Sequence, residues 1–224
     1  ESCTRELGKC GSADCLHASA AAIDLFKSAG EWCRAERIFQ AAVDVAKSLG
    51  TLDTWNYIKV LQSMALCLDD QGKYTEAKEH FEKAKQVALM IGMTNTTDYA
   101  RLLVDSSATC TNSYDEEMAQ LSEAKDIFLA LREQDTANYV FTLHRIGETL
   151  MGQNTSCIAD EAIKYFEEAK ALYGKLDATS TIYYAQLFQD IGVWHGKRDH
   201  FQEATAAYIQ AKTALEDACA TDTL

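Results

Sequence analysis

An alanine that opens a helix after a short polar turn recurs five times along the chain, as Ala35, Ala77, Ala124, Ala162 and Ala204. The steps between copies are 42, 47, 38 and 42 residues. Four residues after each alanine stands a large aromatic: Phe39, Phe81, Phe128, Phe166 and Tyr208. Three further on comes a small or apolar residue: Ala42, Ala84, Leu131, Ala169 and Ala211. Spacing of four and then three is one face of an α-helix. A single unit of this kind leaves an apolar face unburied, so units must stack on their neighbours into a continuous core.

The preceding half of each unit repeats as well. Tyr57, Tyr99, Tyr139 and Tyr184 each lie eight residues before a small residue, namely Ala65, Ser107, Gly147 and Gly192. Apolar residues fall between them at helical spacing, such as Leu61 and Met64 or Leu143 and Ile146. Each unit therefore reads as a first helix, a turn, a second helix and a short polar connection. Turns such as Asp70-Gln71-Gly72-Lys73 and His195-Gly196-Lys197-Arg198 offer a glycine to stop a helix. Connections such as Asp53-Thr54 and Asp135-Thr136 offer caps for the next one. The chain has no proline and only 11 glycines in 224 residues, too few breakers for a sandwich or barrel. The expected fold is all-α: one domain of about five antiparallel helix pairs over residues 14–50, 51–93, 94–134, 135–177 and 178–220, after an extension at 1–13.

The unit at 54–89 resembles the tetratricopeptide repeat. It carries Tyr57, Leu61 and Ala65, then Gly72-Lys73-Tyr74-Thr75-Glu76-Ala77, Phe81 and Ala84. The resemblance covers about residues 14–218 and implies a right-handed α-solenoid. A repeat near 42 residues, longer than the usual 34 or so, is similar to the kind found in kinesin light chains. The third unit departs: its turn around Asn112-Ser113-Tyr114-Asp115 is about five residues longer than that of the second. A second resemblance, to the soluble NSF attachment proteins, rests on Phe26-Lys27, Ala29, Trp32, Ala35, Phe39 and Ala41-Ala42, and on Glu161-Ala162-Ile163-Lys164-Tyr165-Phe166 with Ala169 and Tyr173. It implies an adaptor of membrane traffic.

The net charge of −13 argues against a nucleic-acid surface, which needs clustered Lys and Arg. A basic or neutral partner is easier to accommodate. There is no run of 18 apolar residues to span a membrane, so direct membrane insertion is not expected. A chain opening at Glu1 without methionine is expected to be a fragment or a processed form. Of the eight cysteines, Cys67 and Cys110 fall on apolar helix faces, and most read as small hydrophobes in a reducing, cytoplasmic setting. Cys3, Cys10 and Cys15 are close enough in sequence for a disulfide. Two sequons occur, at Asn95-Thr96-Thr97 and Asn154-Thr155-Ser156.

No constellation for catalysis stands out, and no enzyme activity, cofactor or metal is expected. There is no Gly-rich phosphate loop and no G-x-S-x-G elbow. Cys10, Cys15 and His17 lack a fourth ligand. His80 reads as a solvated residue beside Phe81, and the charge-rich second helices read as outer faces with pairs such as Glu79 and Lys83. His195 reads as a packing residue between the two helices of its unit.

In tetratricopeptide domains the first helices line a concave groove, and the resemblance carries that role to particular residues here. They are Lys59, Gln62 and Asp69 in the second unit, Arg101 in the third, His144 and Glu148 in the fourth, and Gln186 and Gln189 in the fifth. His17 and Asp24 are weaker candidates from the first. Lys59 and Arg101, 42 residues apart, are expected to form a local positive spot for an acidic side chain or carboxyl terminus. The expected function is a protein-interaction scaffold or adaptor that holds a peptide or helix of a partner protein. The alternatives are the membrane-traffic adaptor and a structural segment that self-associates, with a homo-oligomer as its signature.

Overall fold

A computed structural model describes residues 13–109, 113–153 and 156–221. Among these residues there are ten helices and no strand. They are α1 (Ala13–Ser28), α2 (Trp32–Leu49), α3 (Trp55–Asp69), α4 (Tyr74–Met90), α5 (Thr97–Ser107), α6 (Tyr114–Leu131), α7 (Ala137–Met151), α8 (Ser156–Lys175), α9 (Ile182–Gly196) and α10 (Phe201–Thr221). Odd-numbered helices are the first helices of the repeat and even-numbered ones the second. Tyr114 and Asp115, read above as part of a long turn, instead open α6. Cys3, Cys10, Cys110, Asn112, Asn154, Thr155 and residues 222–224 lie outside the described residues.

Each first helix after α1 starts at a threonine. Thr54, Thr96, Thr136 and Thr181 have extended backbones, and their hydroxyl oxygens accept from the backbone N–H of Tyr57, Tyr99, Tyr139 and Tyr184. Such a cap satisfies one of the orphan donors of a helix start and contributes about 1 kcal/mol. The same tyrosines turn their rings into the interior, where Tyr57, Tyr99 and Tyr139 are buried. One residue type thus fixes both where the helix begins and which face turns inward.

The second helices end or begin at residues in the left-handed region. Gly30 and Gly72 stand two residues before α2 and α4, and Gly50 and Gly92 follow those helices. In the second half of the chain the same stations are held by Asp199, Arg132 and Asp177, all at positive φ. Gly196, expected above to supply the stop in its turn, has no such conformation; Asp199 takes it.

The chain resolves into two compact units, residues 1–113 and 114–224. The division falls between α5 and α6, inside the expected third repeat. In the first unit α1 packs on α2 and α3, α3 on α4, and α4 on α5. In the second, α6 packs on α7, α7 on α8 and α9, and α9 on α10. The aromatic stripe forms the core: Phe81, Phe128 and Phe166 are fully buried beside Ala77, Ala124 and Ala162. Where the first helix carries glycine, the ring of its partner fills the gap: Phe166 lies against Gly147 and Tyr208 against Gly192. α1 touches α3, and α7 touches α9, so these first helices stand side by side.

Two details correct the sequence reading. His80 is half-buried with its ring edge-on to Phe39, 5.0 Å between centroids, and burial pushes its pKa below the usual value. Lys83 lies over the Tyr57 ring rather than on Glu79, while Glu82 and Lys85 of the same helix form an ion pair. His195, read as a packing residue between the two helices of its unit, is half-buried, edge-on to Trp194 and 5.9 Å from the ring of His200, the residue before α10.

Candidate interaction site

The first helices of the first unit enclose a cavity of about 220 Å³. His17 and Asp24 come from α1, Lys59, Gln62 and Leu66 from α3, and Asp98, Arg101 and Asp105 from α5. Five groove residues read from the sequence, His17, Asp24, Lys59, Gln62 and Arg101, therefore meet in one place. Among the described residues neither Lys59 nor Arg101 makes an ion pair. The expected positive spot is nonetheless corrected, because Asp24, Asp98 and Asp105 line the same cavity and offset the two cations.

Asp105 reaches across to α3, where the Gln62 amide donates to its carboxylate at 2.6 Å. Burial raises the Asp105 pKa despite this bond and the nearby Arg101 guanidinium. Asp69 does not join the cavity; it is half-buried at the carboxyl end of α3, next to the capping residue Asp70.

In the second unit α7 and α9 line a larger cavity of about 390 Å³ with Phe141, His144, Arg145, Glu148, Tyr183, Gln186, Gln189 and Asp190. The four groove residues read in these helices, His144, Glu148, Gln186 and Gln189, all belong to it. Gln186 and Gln189 are exposed. His144 is buried, with 2 % of its side chain accessible, and its Nε2 lies 2.7 Å from Asp190 Oδ2 and 4.0 Å from Glu148 Oε1. Its Nδ1 is buried without a hydrogen-bond partner. Burial raises the Glu148 pKa, against the pull of Arg145, which lies 3.0 Å from Glu148 and 3.5 Å from Glu117. Phe141 and Tyr183 meet edge-on at 5.5 Å across the two helices, and Tyr183 is more than half exposed.

The two cavities share a register. Counted from the tyrosine that follows the threonine cap, Gln62 and His144 stand five residues on, and Asp105 and Asp190 stand six residues on in the next first helix. The same backbone geometry thus forms a polar clasp between neighbouring first helices in each unit, Gln62–Asp105 and His144–Asp190. Asp105 and Asp190 were not among the sequence candidates. The sixth position after each tyrosine, also held by Ser63 and Arg145, is the signal that finds them.

The stack of antiparallel helix pairs is the fold of known repeat structures. BtubC (BKLC) from P. vanneervenii superposes with a TM-score of 0.77 at 19 % identity, over 94 % of this chain and 85 % of that one. This chain has the tetratricopeptide-repeat fold. The TPR-like repeats of a putative kinesin light chain of Podosopora anserina superpose with a TM-score of 0.71 at 11 % identity, over 91 % of this chain and 96 % of that one. YrrB, a TPR protein with an unusual peptide-binding site, gives 0.55 at 19 % identity, over 100 % and 99 % of the two chains. No protein-family model matches the sequence, and no curated protein matches it. Among the described residues no helix is long and apolar enough to cross a membrane.

Proposed function

We propose that this chain is a protein-binding scaffold that holds an extended peptide or a helix of a partner along the polar face of its first helices, and that it acts by binding rather than by catalysis. The observation that carries this reading is the convergence of His17, Asp24, Lys59, Gln62 and Arg101, from three first helices, on one cavity. Backbone-independent contacts from amides and charges suit a peptide held by hydrogen bonds. Unpaired charges of both signs favour a segment that offers a carboxylate to Lys59 and Arg101 and a donor to Asp24 or Asp98. The neighbour with a peptide-binding site supports the same class of ligand. A reducing, cytoplasmic location belongs to this reading, and the free thiols of Cys33, Cys67 and Cys219 support it.

The test is a displayed library of random peptides selected on the full chain. Selected peptides should lose affinity by about 30-fold or more on Lys59→Glu/Arg101→Glu, as expected for about 2 kcal/mol or more from desolvated charge contacts. Two glutamates beside Asp24, Asp98 and Asp105 also add repulsion, so the thermal midpoint is measured alongside, and Lys59→Gln/Arg101→Gln, which adds no negative charge, should lose affinity while keeping the fold. Enrichment of peptides that bind the double variant equally well would show that the ligand face lies elsewhere, and enrichment of none would remove the peptide reading.

A further inference from the structure

The two clasps occupy equivalent positions but differ in chemistry. In α3 the fifth residue after the tyrosine is Gln62 and the ninth is Leu66; in α7 the same positions hold His144 and Glu148. At these two positions the third unit has Val104 in α5 and Ala108 just after it, and α9 has Gln189 and Val193. Only α7 therefore carries a His-x-x-x-Glu pair one helical turn apart on the face where the neighbouring helix brings a carboxylate. The first unit shows that the clasp needs only an amide and one carboxylate to join two helices. The second carboxylate and the imidazole of the second unit exceed what that join requires.

We propose that His144, Glu148 and Asp190 form a binding site for a first-row divalent cation, with zinc as its best-fitting occupant. The ligand atoms, His144 Nε2 and one oxygen of each carboxylate, lie within 4.8 Å of one another. Ligands at about 2.0–2.1 Å from a tetrahedral zinc stand about 3.4 Å apart. The observed 2.7 Å and 4.0 Å separations bracket that value, so small side-chain rotations suffice. One imidazole with two carboxylates is a donor set that suits zinc and its neighbours better than calcium or magnesium. The fourth position opens to the cavity, which has room for water or for an oxygen of Gln186 or Gln189. Two half-buried carboxylates face a buried imidazole, and their one guanidinium neighbour, Arg145, is shared with Glu117, so a dication would find uncompensated negative charge there. Arg145 retains Glu117 as a partner when Glu148 turns to the metal.

The site is tested on the reduced, chelator-treated full chain by calorimetric titration with zinc chloride and by the absorption spectrum of the cobalt(II) form. The substitutions are those the protein already carries in its first unit: His144→Gln, which keeps a clasp like Gln62–Asp105, and Glu148→Leu, which places leucine where Leu66 stands. One zinc per chain is expected, with affinity reduced at least tenfold in each variant, and cobalt spectra free of sulfur charge-transfer bands. No binding, binding that both variants keep, or a sulfur charge-transfer band that puts the metal on cysteines would each overturn the proposal. No peptide enters this experiment, so its result is independent of the test of scaffold function. Should His144→Gln fail to fold, Glu148→Leu alone decides.

Discussion

At the scale of single residues, the close approach of helices depends on what lacks a side chain. A Cβ added at Gly147 would collide with the Phe166 ring, and one added at Gly192 would stand 2.6 Å from the Tyr208 ring. The two sites look alike locally, yet their rings differ in freedom. Phe166 is fully buried, hemmed in also by the His144 ring at 5.9 Å, whereas Tyr208 is 46 % exposed. Alanine gains about 1 kcal/mol over glycine in helix propensity at either site. Overpacking a ring that cannot move costs about 1–3 kcal/mol. Gly147→Ala is therefore expected to lower stability by about 1–2 kcal/mol, and Gly192→Ala to leave it unchanged or raise it slightly, because Tyr208 can swing outward. Urea unfolding of both variants checks this; equal losses at the two glycines would show that ring mobility does not set the outcome.

At the scale of elements, the clasp between α3 and α5 makes a prediction about pH. Burial holds the Asp105 carboxyl above its usual range even though the Gln62 amide and Arg101 favour the charged form. The folded protein therefore binds this proton more readily than the unfolded chain does, and the contribution falls as pH rises through the folded pKa. Asp105→Asn keeps an acceptor for Gln62 and removes the charge. The variant should be more stable than the parent at neutral pH, with the advantage shrinking as pH falls and Asp105 itself becomes neutral. Denaturation at a series of pH values reads this difference; a variant less stable at neutral pH would mean that attraction to Arg101 outweighs burial. The helices themselves were legible in the sequence because alanine, aromatic and tyrosine recur in a fixed helical spacing. The cavity residues on α3, α5, α7 and α9 were legible in part, since the tetratricopeptide resemblance, not the spacing, carries the groove role to Lys59, Gln62, Arg101, His144, Glu148, Gln186 and Gln189. Asp105 and Asp190 were hidden because a carboxylate beside apolar core positions reads as surface until its cross-helix partner is known. The turns at Arg132, Asp177 and Asp199 were hidden for a different reason. Each takes the left-handed conformation without the glycine that announces it, in turns closed by backbone bonds from Glu133 N–H to the Phe128 carbonyl, Ala178 N–H to Tyr173 and His200 N–H to His195.

At the scale of the whole molecule, charge is the dominant long-range term. There are 34 acidic against 21 basic side chains, a difference of 13. The ion pairs that offset it are mostly short-range and exposed, such as Glu31–Arg34, Glu167–Lys170 and Lys212–Glu216, each within one turn. Lys27–Asp70, Arg145–Glu117 and Arg198–Asp160 are pairs that cross between helices. Exposed pairs contribute little, about 0–1 kcal/mol each, while the surplus carboxylates repel one another across every repeat. The two contributions respond to salt with opposite sign: screening weakens the pairs and relieves the repulsion. With repulsion the larger, raising sodium chloride from about 10 mM to about 150 mM, which shortens the Debye length from about 30 Å to about 8 Å, should raise the thermal midpoint. A gain of about 1 kcal/mol corresponds to about 2–4 °C for a chain of this size. The rise should level off once the screening length is shorter than the spacing between surface carboxylates, whereas a general salting-out effect would continue in proportion to concentration. A midpoint that falls over this range would show that the ion pairs, not the net charge, govern stability, and would remove the electrostatic reason to expect a basic or neutral partner.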